Sequence, residues 1–323
     1  MKKTVTILTM VVFAFMTMVM FSNCKDKKHR ATDEDDMDDE EEEVMAPADD
    51  DEEEGLVIDT VEVHTARDFI QALQSNRCVM VTTDNSLNIT GALNDLIEEG
   101  RLENFMKNGE ERDDNGVFFE VEYDGNKLVV AGLSNLTIAA KGEGYLVVTP
   151  RYADVIKFVR CKAVSIRNFT MGHTETGDCV GDVLTFYRCK DVDIHKCHLF
   201  GCGVDGLSTS NSELIRVYDT HLYGCSEFGV VLEASSDIRF KRCQIYSNGM
   251  GINVDESCSD VNFDDCKFSN NRGQLFMCYG KVTLKNCEIE HHHDDITENV
   301  DFINCNVHMD YADAEEYPDI EEE

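Results

Sequence analysis

The sequence predicts an all-β solenoid, a chain wound into stacked coils around one continuous core. Three observations predict it. A six-residue pattern, apolar-x-apolar-x-x-Cys, recurs at Val192–Cys197, Ile238–Cys243, Val261–Cys266, Val282–Cys287 and Val300–Cys305, with variant copies at Ile215–Thr220 and Val164–Phe169. The sixth residues of these copies are spaced by 28, 23, 23, 23, 21 and 18 residues, the period of a structure that stacks on itself. Each copy alternates with period two, so Val192 and Ile194 share one face of a strand while Asp193 and His195 share the other.

So few apolar residues per copy cannot bury themselves alone. Coils stacked about 4.8 Å apart give each of them a like neighbour above and below. Cysteine acts as a small apolar residue and suits a ladder position at a tight bend. A second strand precedes each copy, at Ile156-x-Phe158, Leu184-x-Phe186, Leu207-x-Thr209, Val230-x-Leu232, Ile252-x-Val254 and Leu275-x-Met277. Third segments run through Leu199-Phe200, Leu222-Tyr223, Ile245-Tyr246 and Phe268, and glycines punctuate the wider turns. Over residues 127–310 this pattern resembles the right-handed parallel β-helix of the pectin-lyase-like superfamily. The resemblance implies the fold and says little about chemistry, because that superfamily holds lyases, hydrolases, esterases, epimerases, adhesins and non-catalytic binders.

The chain before the coils divides by composition. Lys2 and Lys3 precede the apolar run Val5–Met20, which has the flanks of an export signal and is short for a membrane span. Phe21-Ser22-Asn23-Cys24 resembles a bacterial lipobox, although Phe21 and Asn23 depart from its usual pattern. The resemblance implies lipidation of Cys24 and residence in the cell envelope of a Gram-negative bacterium, at the outer membrane or cell surface. Residues 25–55 contain sixteen acids in three runs and no aromatic residue, the composition of a self-repelling, solvated tether. An acidic stretch soon after a lipidated cysteine is similar to the surface-export signals of Bacteroidetes-type lipoproteins.

Residues 56–126 are expected to form the N-terminal cap and first coil. Thr65–Asp68 opens an amphipathic helix carrying Phe69, Ile70 and Leu73, placed to plug the end of the solenoid before the strand Cys78–Val81. Residues 92–106 read as a helical excursion with Gly100 as its point of division, and Val117–Tyr123 with Lys127–Val130 as a hairpin. Residues 311–323 continue an acidic tail that starts at Asp310. The 24 acids of those three runs and the tail account for most of the net charge of −35, leaving about −11 for the rest. A moderately acidic body makes nucleic acid a poor partner. Fourteen cysteines in an exported chain would ordinarily signal disulfides. Stacked residues have parallel Cβ vectors, which suit disulfide geometry poorly, so the ladder predicts mostly reduced, buried thiols.

Chemistry is expected at two places. The segment Met171–Asp182 lengthens one coil and carries His173, Glu175, Asp178 and Asp182. His173 is a candidate acid or base. Asp178, Asp182, Asp205 and Glu233 are candidate ligands for calcium. The competing expectation is a glycine-rich corner whose acids cap backbone amides. The second place is the outward side of the strands, where Arg167, His195, Tyr218 and Lys241, with Tyr187 on the preceding strands, suit an acidic polymer. Polysaccharide lyases of this fold use an arginine base, a part open here to Arg216 or Arg239; plain solvated sheet faces are the alternative. No complete catalytic set is present. Gly172-His173, Arg239-Phe240-Lys241 and Asp264-Asp265 resemble fragments of pectin-hydrolase motifs but in a different order. The cluster His291-His292-His293-Asp294-Asp295 suggests a metal or an exposed turn. Two functions are therefore expected: an envelope lipoprotein that binds polysaccharide or an envelope protein, or a lyase or hydrolase acting on an acidic polysaccharide.

Overall fold

A computed structural model describes residues 58–123, 125–149, 153–174, 180–201, 203–292 and 294–310. The expected signal segment with Cys24, the acidic tether and residues 311–323 lie outside the described residues, as do Glu175, Asp178 and His293. Among the described residues no helix is long and apolar enough to cross a membrane.

Each coil contributes three short strands that stack in parallel on those of the next coil. The first stack contains Ile156–Val159, Leu184–Tyr187, Leu207–Ser210, Phe228–Glu233, Met250–Val254 and Phe276–Cys278. The second contains Lys162–His173, Lys190–His195, Glu213–Tyr218, Ser236–Lys241, Ser259–Asp264, Val282–Lys285 and Val300–Ile303. The third contains His198–Phe200, His221–Tyr223, Gln244–Tyr246, Lys267–Ser269, Glu288–His292 and Asn306–Asp310. Parallel register puts like on like: Val164, Val192, Ile215, Ile238, Val261, Val282 and Val300 form one inward column. The copies of the repeat are therefore consecutive rungs, and the core is a set of such columns.

The bends between stacks explain the cysteines more fully than size does. A residue in left-handed conformation precedes each ladder residue: Asn211 before Ser212, Asp219 before Thr220, Arg242 before Cys243, Ser247 before Asn248. The ladder residue's side chain then accepts a backbone N–H from the coil before it. Ser212 Oγ accepts from Cys189 at 3.0 Å, Thr220 Oγ1 from Cys197 at 3.3 Å, Cys266 Sγ from Cys243 at 3.4 Å, and Asn248 Oδ1 from Cys225 at 3.0 Å. Cysteine is thus one of several small acceptors at a buried bend, and Thr220 in the cysteine column does the same work.

At the N-terminal end, the second stack begins earlier than residue 127, at Asp59–Val63 pairing with Arg77–Val81, which pairs with Ser134–Val148. Helix α1 (Ala66–Ala72) lies between the first two strands, capped by Thr65 and burying Phe69, Ile70 and Ala72. It closes the core as the sequence predicts. Helix α2 spans Ile89–Glu98, not 92–106. Gly100 at φ +67° ends it, and Leu102–Met106 runs on to lay Phe105 against Phe118, ring centroids 5.9 Å apart. The hairpin forms from Gly116–Glu122 and Gly125–Ala131, and its second strand is also the first rung of the first stack.

One strand is shifted by a residue from expectation. Phe276 and Cys278, rather than Leu275 and Met277, continue the inward columns of Ile252 and Val254. The run Leu275-Phe276-Met277-Cys278 is apolar throughout, so it has no alternation to fix which face points inward.

Candidate functional site

The outward face of the second stack collects most of the expected ligand-binding residues. Arg167, His195, Tyr218, Lys241, Asp264 and Lys285 form one row, one residue per rung. Ser165, Asp193, Arg216, Arg239, Asn262 and Thr283 form the row beside it. The rows exist because each strand's polar positions fall at the same step as its apolar ones. His195 and Tyr218 pack ring to ring at 4.8 Å. Two adjoining depressions of about 310 Å³ each lie beyond Tyr218, sharing Arg239, Asn262 and Asp264 between them and ending at Thr283 and Lys285.

The cations here differ in how far they are committed. Arg216 donates to Asp193 at 2.8 Å and also pairs with Asp191. The Asp193 hydrogen bond raises its pKa further, which favours the charged form of Arg216. Arg239 donates to Asp237 at 3.1 Å but leaves its side chain 58% exposed. Lys241 lies 3.6 Å from Asp264, and Arg167 donates to the Ser165 hydroxyl at 2.8 Å. Exposed pairs of this kind hold a cation in place without neutralising it for a ligand.

The lengthened corner is a different environment. Asp154, Asp182 and Asp205 occupy one column at the entry to the first stack. Asp154 Oδ1 accepts the N–H of Asp182 at 3.2 Å, Asp182 Oδ1 that of Asp205 at 3.2 Å, and Asp205 Oδ1 that of Phe228 at 2.9 Å. Thr185 Oγ1 donates to Asp154 Oδ2 at 2.8 Å and lies 3.2 Å from Asp182 Oδ2. Burial, with the charges of Asp154 and Asp205, pushes Asp182 well above the usual carboxylate range. Burial, with Glu227, Glu233 and Asp154 adding repulsion, carries Asp205 up to about 6 against the Phe228 amide. The acids cap backbone amides, as the competing expectation had it.

His173 does not meet the arginines. It ends the strand Lys162–His173, at the third-stack end of that coil, 3% exposed, with Nε2 2.9 Å from the Ala153 carbonyl. Its Nδ1 is buried without a partner beside Gly201 and Gly203. Burial lowers its pKa, so the ring is held neutral and away from solvent, whereas Arg216 and Arg239 project from another stack. Glu233 is exposed at the end of its strand, and Tyr187 lies on the outer side of the first stack. Among the described residues no three His, Cys, Asp or Glu side chains form a metal cluster. Of the described members of the expected calcium set, Asp182 and Asp205 each hold a backbone N–H of the next coil. Asp295 accepts the amides of Leu275 at 2.6 Å and His292 at 2.8 Å, making that segment a capped turn.

Two features went unnoticed in the sequence. Asp154 extends the acid column by a 28-residue step, the spacing of the longest coil. Phe200, Tyr223 and Tyr246 stack on the third stack's outer face, Tyr223 and Tyr246 at 5.0 Å, and their 23-residue spacing was a legible signal.

Residues 159–268 match the family model described as right handed beta helix region. No curated protein matches the chain. Among solved structures the chain is similar to the pectate lyase pelN from Paenibacillus sp. 0602, at 11% identity and TM-score 0.53, covering 78% of each chain. It is also similar to an alginate lyase from Paenibacillus sp. str. FPU-7, at 12% identity and TM-score 0.44, covering 78% of this chain and 87% of that one. The protein is a right-handed parallel β-helix of pectin-lyase-like architecture.

Proposed function

We propose that this protein is a lipoprotein of the bacterial envelope, held through Cys24 and the acidic tether, whose second-stack face binds a polysaccharide bearing acidic groups. The observation that carries this reading is the row Arg167–His195–Tyr218–Lys241, flanked by the exposed Arg239 and leading into an open groove. A rigid stack presents these groups at a rung spacing of about 4.8 Å, so an extended chain meets several of them without either partner rearranging. Guanidinium and ammonium groups bind carboxylate or sulfate, and the stacked His195–Tyr218 pair adds amphipathic surface. The fold's similarity to a pectate lyase supports a carbohydrate-related role.

A carbohydrate-active enzyme is the second reading, and one observation favours it: Asp182 and Asp205 are neighbouring carboxyls both shifted upward, the kind of pair that acid–base chemistry uses. One experiment separates the two. Polyuronates and sulfated glycans are incubated with the full-length protein with and without calcium, following binding, ultraviolet absorbance of unsaturated products, and new reducing ends. Binding that is lost in Arg239→Gln/Lys241→Gln, without turnover, supports the binding protein. Turnover that is lost in Asp205→Asn replaces it with the enzyme.

A further inference from the structure

The outer surface of the first stack changes character at Tyr187. Two rows run along it: Val129, Lys157, Thr185, Ser208 and Val231, and beside them Ala131, Val159, Tyr187, Ser210 and Glu233. Val129, Ala131 and Val159 point outward and yet are 0% exposed, because the excursion lays Phe105 and Phe118 over them. Lys157 is tied down to Glu120 at 2.9 Å. From Tyr187 onward the rows lie clear of this cluster and, apart from the buried Val231, turn polar, with Tyr187 itself packed against its edge. The excursion is therefore a wall across one end of the face.

The wall's foot is built from three arginines. Arg112 lies over Phe118 at 5.4 Å and pairs with Glu103 at 2.5 Å and Asp114 at 3.0 Å. Arg160 lies over Phe105 at 5.7 Å and donates to the Arg112 carbonyl at 2.5 Å. Arg188 lies over the Tyr187 ring at 4.6 Å. Arg160 and Arg188 share Glu111, at 3.6 and 3.9 Å. Of the two, Arg188 is the more loosely held: it is farther from Glu111 and 55% exposed against 25% for Arg160, so an edge of its guanidinium stays open to solvent. The Arg188 backbone is fixed by its N–H to the Ser210 carbonyl at 2.9 Å, so this exposed guanidinium has a set position on its ring.

We propose that the Tyr187–Arg188 step captures the end of a glycan chain through a carboxylate or sulfate on its terminal sugar. The sugar ring rests on Tyr187, the anion takes the outer edge of the Arg188 guanidinium, and the chain leaves over Ser208 and Ser210. The wall admits nothing beyond that terminal unit. The row's next charge is Glu233, two rungs on and exposed, which disfavours further anionic groups. The preferred ligand is thus acidic at its end and neutral behind it. This site is separate from the second-stack face and does not depend on it.

The test titrates full-length protein calorimetrically with three probes: a neutral oligosaccharide ending in one uronic acid, its carboxyl-reduced counterpart, and a counterpart ending in a sulfated sugar. The wild type is expected to bind one or both acidic probes about tenfold more tightly than the reduced one. The stronger of the two identifies the anion. Arg188→Gln should remove that preference, and Arg188→Lys should restore part of it, because the charge returns without the planar fork. Position 188 is exposed enough for both variants to fold, which melting temperatures confirm. The same titrations are made in the Arg239→Gln/Lys241→Gln background, where the second-stack face is removed from the readout, and the Arg188-dependent preference should persist there. Equal binding of acidic and reduced probes, no binding of any probe, an unaffected Arg188→Gln, or loss confined to the second-stack variant would each overturn the proposal.

Discussion

The carboxylate of Asp182 accepts the backbone N–H of Asp205, one coil further on, at 3.2 Å. Asp205 repeats the arrangement with Phe228, and Asp154 precedes both, so acids stand one above another where serine, threonine or asparagine serve other bends. An ionised column repels itself, and burial magnifies the repulsion. The column therefore favours protons, as the upward shift of Asp205 to about 6 expresses.

Asp205→Asn is expected to stabilise the protein near neutral pH. The amide oxygen can keep the Phe228 bond while the charge disappears. A folded pKa raised from 3.8 to about 6 means stability that is complete below the unfolded value and lost as pH rises through 6. The loss is at most about 3 kcal/mol, and part of it is returned by the variant. Urea denaturation of both proteins at pH 4 and pH 8 measures this. The gap between them should widen in favour of the variant at pH 8; a gap independent of pH would show that Asp205 is not shifted.

Ladder positions should respond to loss of an acceptor more than to loss of size. Cys266 Sγ accepts the Cys243 N–H at 3.4 Å, and Ser212 and Thr220 show that a hydroxyl serves equally at such bends. Cys266→Ser is expected to cost under about 1.5 kcal/mol, and Cys266→Val about 2–3 kcal/mol, because valine strands a buried amide. Thermal denaturation ranks them; valine tolerated better than serine would reverse the assignment.

The solenoid was legible because its columns repeat in the sequence at the coil step: the inward Val192–Ile238 series and the outward Arg167–Lys241 row both follow from one period and one alternation. What stayed hidden had no such period. Phe276 sits in an apolar run where either register satisfies the pattern. The continuation of Leu102–Met106 is decided by Phe105 finding Phe118 across the chain, a tertiary contact that outweighs local helical spacing. Arg188 meets Glu111 only because the excursion folds back, so the wall and the arginine at its foot could not be read from either segment alone. The packing of Gly201 and Gly203 against the His173 ring joins residues 28 or more positions apart and follows from no local pattern.

Thiol reactivity should divide by burial. Burial carries Cys197 and Cys258 up to about 11 and Cys278 to about 12. At pH 8 about one thiol in a thousand is ionised for Cys197 and Cys258 and about one in ten thousand for Cys278, and only the thiolate reacts. Cys78 and Cys305 are partly exposed. Pulse alkylation of native protein at pH 8, read by peptide mapping, is expected to label these two first among the described cysteines. Cys197, Cys258 and Cys278 should react at comparable rates only after denaturation. Rapid native labelling of Cys197 or Cys278 would mean that the coils open far more readily than their packing implies.

Two glycines should answer oppositely to alanine, and the contrast tests how tightly the coils are stacked. A methyl group at Gly172 would fall on the Phe200 carbonyl oxygen of the next coil and reach its ring. Backbone cannot yield as a side-chain tip can, so the two coils must separate, and Gly172→Ala is expected to cost about 2–4 kcal/mol. At Gly91, inside α2, a methyl group would meet nothing within 4 Å. Gly91→Ala removes freedom from the unfolded chain without a clash and should gain about 0.5–1 kcal/mol. Equilibrium denaturation of both variants decides it. A neutral Gly172→Ala would mean that Phe200 does not lie against the coil before it, and the contact between these rungs would have to be redrawn.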